Sequence, residues 1–346
     1  MKRLLFLISI MVAFSLFLVA CGGGESEETS SEGQEETSQD ATTESEFLIE
    51  IGHIAPDEHS YTKGLEAFIE EVEERTDGRV TFEMYGNGQL GGERELIEQV
   101  QLGSLDMTMV TAGPLGNFVP ELSVLEMPFL FEDLDHVDRV LDGDVGEDLM
   151  AAIDEQGFKT LGLWENGMRH LTNNSHPIYS PNDVEGLKMR TVENEIYIDS
   201  YQAIGADPTP VAFPEVYTSL QQGVVDGLDA SYGVFYTTNL YEVQGHFSEA
   251  GYYYAAAPVI MNQGTFESLP EDIQEVFVEV ARELTQTQRD INREMEAEQK
   301  EAMLEYGVEI VEEADVDIEA FRKASEEVYE KYEDRFGDLV ERIRSM

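Results

Sequence analysis

The chain has 346 residues, with 72 Asp and Glu against 21 Lys and Arg and a formal net charge of −51. That balance excludes nucleic acid as a partner, which needs a basic face, and points to a salty or alkaline exterior where screening relieves self-repulsion. Hydrophobic residues make up 42% of the chain, enough for a globular core, and the single cysteine, Cys21, excludes an internal disulfide framework.

Lys2 and Arg3 precede an apolar run from Leu4 to Val19, the layout of a secretory signal. The run is short for a membrane span, which needs about 20 apolar residues. Leu18-Val19-Ala20-Cys21-Gly22 looks like a bacterial lipobox, implying removal of residues 1–20 and acylation of Cys21, which anchors the protein to a membrane. From Gly22 to Glu46 there is no Lys, Arg or aromatic residue, so 21–46 reads as an acidic, disordered tether.

Phe47 to Ile51 alternates as a strand does, and Leu65, Phe68, Ile69 and Val72 fall at helical spacing. Val80, Phe82 and Met84 form a second strand, Leu96, Ile97 and Val100 a second helix, and Asp106 to Val110 a third strand. Further strands are expected at 157–163, 186–192, 224–228 and 308–311, an extended stretch at 207–210, and helices at 195–204 and 215–222. Pro270 opens a helix that runs to about Tyr306 and is long enough to join two lobes, and the tail beyond 311 is helical. Strands alternating with helices imply an α/β fold with a largely parallel sheet.

Four segments carry a family resemblance: 86–107 (GNGQLGGERELIEQVQLGSLDM), 114–133 (PLGNFVPELSVLEMPFLFED), 165–190 (ENGMRHLTNNSHPIYSPNDVEGLKMR) and 205–227 (GADPTPVAFPEVYTSLQQGVVDG). In this order and spacing the chain resembles the solute-binding subunits of TRAP transporters, the DctP type. The resemblance runs from about Ile49 to the C-terminus. It implies a two-lobed periplasmic-binding-protein-like fold with a ligand cleft between the lobes, crossover strands and a long interlobe helix. It also implies a small organic acid as ligand and an ion-driven permease as membrane partner; some members of the family bind their acid with a metal ion, but no ligand cluster in this sequence predicts one, and no cofactor is expected. The lobes are expected at 47–166 with 256–296, and at 167–255 with 297–346.

Cations are scarce, and between Arg94 and Arg282 only Arg139, Lys159, Arg169, Lys188 and Arg190 occur. The resemblance makes Arg190 the residue that grips the ligand carboxylate, a task suited to the paired, planar donors of a guanidinium; the alternative is a salt bridge to one of the many acids. Arg169 matches a second ligand-reaching arginine, or else an interlobe ion pair. Phe213 matches a pocket wall, and Glu93 and Thr111 match positions in the first lobe that line the cleft, although Glu93 also suits a helix N-terminus. Many family members follow VVDG with Gln-Glu-Asn, whose Asn touches ligand. Here Leu228, Asp229 and Ala230 stand instead, so Asp229, or Tyr232 beyond it, is expected to replace that amide and favour hydroxylated ligands. Trp164 reads as core, Lys188 as exposed or paired, and the tyrosines of 249–254 (EAGYYY) as lining either the cleft or a crossover.

An enzyme is not expected. His53 and His59 are six apart, as are His170 and His176, which is not the spacing of a metal-binding HExxH helix, and no nucleophile elbow is present. The competing use of the same residues is a ligand sensor that feeds a membrane receptor.

Overall fold

A computed structural model describes residues 45–346. The expected secretory signal, Cys21 and nearly all of the expected tether lie outside the described residues. Residues 45–346 pack as one unit.

The strands, in chain order, are β1 (Phe47–Gly52), β2 (Val80–Tyr85), β3 (Met107–Met109), β4 (Phe158–Asn173), β5 (Lys188–Thr191), β6 (Asp207–Pro210), β7 (Gly227–Ala230), β8 (His246–Asn262) and β9 (Glu309–Val311). They form one sheet in the order β2-β1-β3-β8-β4-β7-β5-β6, with β9 on β8. The sheet is not the largely parallel one expected. Two parallel blocks, β2-β1-β3 and β7-β5-β6, are held together by β4 and β8, which pair antiparallel with each other and with the blocks they adjoin. The reason is length: β4 has 16 residues and β8 has 17, so each crosses from one block to the other.

The expected 157–163 strand is only the first part of β4, which continues through the ENGMR segment. The β4–β8 register shifts between Thr160 and Gly162, between Glu165 and Gly167, and between Arg169 and Leu171. Gly167 sits at the middle shift with φ 114°, a backbone conformation that side chains other than glycine resist. The tyrosines of EAGYYY lie on β8, the crossover: Tyr252, Tyr253 and Tyr254 are all buried. Trp164 is fully buried against the β1–β3 core, and Lys188 is exposed.

The helix Glu271–Tyr306 has 36 residues and is capped by Gly307 in the left-handed conformation. Its apolar stripe, Ile273, Phe277, Val280 and Ala281, packs with Leu65 and Phe68 of the helix Ser60–Arg75. Its middle is polar and reads the crossover strand directly. Gln288 accepts from the Glu165 backbone N–H (2.8 Å) and donates to the Glu165 carbonyl (2.9 Å), while Arg289 donates to the Leu163 carbonyl (3.1 Å). The tail is helical as expected, but the helix Glu326–Arg344 does not keep to the second lobe. Its apolar face, Val328, Tyr332, Phe336, Val340 and Ile343, joins the core built from Leu96 to Leu163.

Candidate functional site

The two blocks meet around a buried polar chamber. Arg190 stands on β5, paired to Leu228 of β7 and Thr209 of β6. It is 3% exposed, and its one hydrogen bond among the described residues runs from Nε to the Val211 carbonyl (2.9 Å). Among the described residues, no carboxylate side chain bonds its two terminal amino groups. Burial, and then the neighbouring Arg169 guanidinium, pull its pKa below the usual arginine value. A buried guanidinium with its fork unused is an unmet demand for an anion. The Phe213 ring lies 5.9 Å from this guanidinium.

Arg169, on β4, is satisfied differently. Its Nε is bonded to the Asp229 carboxylate, its Nη2 donates to the Asp229 carbonyl (2.6 Å), and Asp229 also accepts from the Tyr201 hydroxyl (2.7 Å). Burial opposes the charge on Arg169, but Asp229 outweighs it and holds the guanidinium firmly protonated. Asp229 is therefore the counter-charge of Arg169, and its carboxylate is consumed within the protein rather than standing in for the missing amide. Tyr232 does not join the chamber: its hydroxyl donates to Glu249 (2.5 Å) and its ring packs on Phe247 and His170.

The first block contributes Glu93, the first residue of the helix Glu93–Leu102, and Thr111, which precedes the turn Ala112–Leu115. Both are buried, and Glu93 accepts from the Thr111 backbone N–H and from its hydroxyl (3.0 Å). Burial raises the Glu93 pKa even so, with Arg190 and Arg169 acting in the opposite sense. The blocks touch around this pair. Asn194 donates to the Gly113 carbonyl (3.0 Å), and Gly88 and Gly92 face Pro214 so closely that a Cβ on either would lie 3.5–3.6 Å from its ring. Beside Phe213, a groove of about 380 Å³ opens outward between Pro56, Asn87, Tyr217 and Asn239.

Arg190, Arg169, Asp229, Glu93, Thr111 and Phe213 are thus brought together. Sequence reasoning missed Tyr197, Asn166 and Glu126, and left Tyr253 between the cleft and a crossover. Tyr197 and Tyr253 pack with ring centroids 4.2 Å apart, Asn166 donates to the Tyr61 hydroxyl (3.1 Å), and Glu126 is 1% exposed near the Tyr197 hydroxyl, with no aligned hydrogen bond to either oxygen. The available signal for Glu126 was one acid inside the apolar run from Leu122 to Phe131. Among the described residues, no group of His, Cys, Asp and Glu is arranged to hold a metal ion.

A family model described as bacterial extracellular solute-binding protein, family 7, matches residues 51–335. A solute-binding protein of Verminephrobacter eiseniae is 39% identical over 282 residues, covering 81% of this chain and 84% of its own. Among solved structures, a TRAP periplasmic solute-binding protein from Polaromonas sp. JS666 bound to D-erythronate is 38% identical with a TM-score of 0.85, covering 87% of this chain and 99% of its own. One from Sulfurospirillum deleyianum bound to succinate is 30% identical with a TM-score of 0.82, covering 87% and 99%. A match of this extent, on this fold, makes the chain a member of the DctP family, the extracytoplasmic, non-enzymatic solute-binding proteins of TRAP transport systems.

Proposed function

We propose that this protein captures a hydroxylated monocarboxylate of the D-erythronate kind and delivers it to a TRAP permease while anchored through acylated Cys21. The observation that carries the reading is Arg190, buried and offering a free pair of amino groups to an anion. The ligand carboxylate takes both donors in one plane. Arg169, neutralised by Asp229, adds positive potential without adding a second full charge. Phe213 faces the carbon skeleton, and Glu93 with Thr111 supplies polar contacts from the opposite block. The bound D-erythronate of the Polaromonas relative supports a hydroxylated acid over a plain dicarboxylate.

The lobes are 47–166 with 256–296 and 167–255 with 297 onward, except that the last helix spans both. The register shifts of β4 between Glu165 and Leu171 supply the flexible crossing, so closure is a hinge motion about them.

Thermal unfolding of the purified protein against D-erythronate, D-glucuronate, succinate, butanoate and neutral sugars tests the reading. A ligand at 100 times its Kd stabilises by about 2.7 kcal/mol. A shift with hydroxy acids and none with neutral sugars is expected. A shift with neutral sugars alone would overturn it.

A further inference from the structure

Glu126 has no role in the reading so far. It ends the 3₁₀ segment Pro120–Glu126, whose Leu122, Val124 and Leu125, with the following Met127, are locked into the main apolar core. The backbone that carries the carboxyl is therefore rigid. Its Cδ lies against the start of the Ala112–Leu115 turn, 3.5 Å from where a Cβ on Gly113 would stand, and Thr111, the partner of Glu93, is two residues away. The charged and titratable groups facing it come from every side of the chamber: Tyr197 from the helix Glu195–Ala203, Arg169 from β4, Asp229 from β7, Glu93 from its helix, and Tyr61 from the helix Ser60–Arg75. The Tyr197 hydroxyl stands close enough to favour the ionised carboxyl, but no aligned hydrogen bond reaches either oxygen. A polar group kept dry without a partner is costly, and a site that keeps one is built for a partner that arrives from outside.

The charges decide its form. The chamber holds two guanidinium groups, Arg169 and Arg190, against the carboxyls of Asp229 and Glu93. A bound carboxylate adds a further negative charge, so an ionised Glu126 would be excess charge at a buried position. We infer that Glu126 acts as a neutral carboxylic acid that donates a hydrogen bond to a hydroxyl oxygen of the bound acid, accepts one from that hydroxyl through its other oxygen, and so selects hydroxy acids over unsubstituted ones. Burial supports this form, holding the Glu126 carboxyl protonated up to about pH 8, with Tyr197 and Arg169 in opposition and Asp229 and Glu93 reinforcing it. The inference rests on Arg190 as the carboxylate holder and adds the group that reads the rest of the ligand.

Calorimetric titration of the wild type, Glu126→Gln, Glu126→Ala and Arg190→Met with D-erythronate, D-glucuronate and butanoate from pH 6 to 9.5 tests it. Wild-type affinity for the hydroxy acids should be flat below about pH 7.5 and fall by up to tenfold per unit above 8. Glu126→Gln, which keeps a donor and an acceptor but cannot ionise, should bind within fivefold of wild type at pH 7 and lose that fall. Glu126→Ala should weaken hydroxy-acid binding thirtyfold or more, leaving less than a threefold preference over butanoate. Thermal unfolding of each variant establishes that it is folded. Glu126→Ala binding within threefold of wild type, or a pH fall that persists in Glu126→Gln, overturns the role of Glu126 while leaving the clamp standing. No hydroxy-acid binding by the wild type, or none lost in Arg190→Met, overturns both readings.

Discussion

Replacing Arg190 by methionine should move affinity and ligand-free stability in different ways. Methionine keeps the length and apolar stem but removes the charge. In the complex it deletes one partner of a buried charge pair, a loss of about 3–5 kcal/mol. At about 1.4 kcal/mol per tenfold, affinity should fall between about a hundredfold and a few thousandfold. In the ligand-free protein the change removes a guanidinium that has one hydrogen bond, to the Val211 carbonyl, and stands beside Arg169. That bond is worth about 1.5–3 kcal/mol, and relief of burial and like-charge repulsion opposes its loss. The unfolding midpoint without ligand should therefore stay within a few degrees of wild type. Titration with D-erythronate at pH 7, alongside thermal scans without ligand, measures both. Affinity within tenfold of wild type, or a ligand-free midpoint lowered by more than about 6 °C, would refute the reasoning; the second outcome would make Arg190 a structural charge.

Asp229→Asn should cost about 3–5 kcal/mol of stability by stranding Arg169, and it should shift preference toward dianions. Competition between succinate and D-erythronate should move at least tenfold in succinate's favour. Arg289→Met should also cost about 3–5 kcal/mol, since this guanidinium is fully buried and holds Asp138, Asp142 and the Leu163 carbonyl; titration should show unchanged ligand affinity. The pH dependence of the ligand-free protein follows from opposed groups. Burial raises Glu126 and Glu296 to about 8, so each favours folding by about 1.4 kcal/mol per unit as pH falls from 8 toward 4.5. Burial lowers His53 and His170 to about 4 and His59 to about 3, so each removes a similar amount per unit as pH falls below 6.5. Thermal midpoints should rise from pH 8.5 to 6.5, decline slowly to about 4.5, where three histidines oppose two glutamates, and fall steeply below that; a sharp maximum at pH 7.5–8 would contradict the assignment.

The parallel blocks were legible because their strands are short and set off by turn residues, as at Asp77-Gly78 before β2, Gly86 after it and Asp226-Gly227 at the start of β7. The crossovers were not. β4 and β8 are buried almost throughout, so inside and outside do not alternate, and the bulges near Gly162 and Gly167 reset the period along the strand. Arg190 stood out because positive charge is scarce on its stretch of chain. Glu126 was hidden by the opposite circumstance, one acid among 72. Asp229 was read as facing ligand because sequence places it near the site but cannot say that Arg169 reaches it first.

The contact between the helix Glu271–Tyr306 and β4 limits how this protein can change length. Gln288, Arg289, Asn292 and Arg293 recur at the three- and four-residue spacing of one helix face, and all four bond Leu163, Glu165 or Asn166. Inserting one residue between Phe277 and Gln288 would turn everything beyond it by about 100°, either swinging these donors away from the strand or unseating the apolar half. Natural length variation should therefore avoid this interval and collect in loops such as Ser175–Ser180, while a deliberate insertion there should uncouple the two halves without altering any residue of the binding chamber.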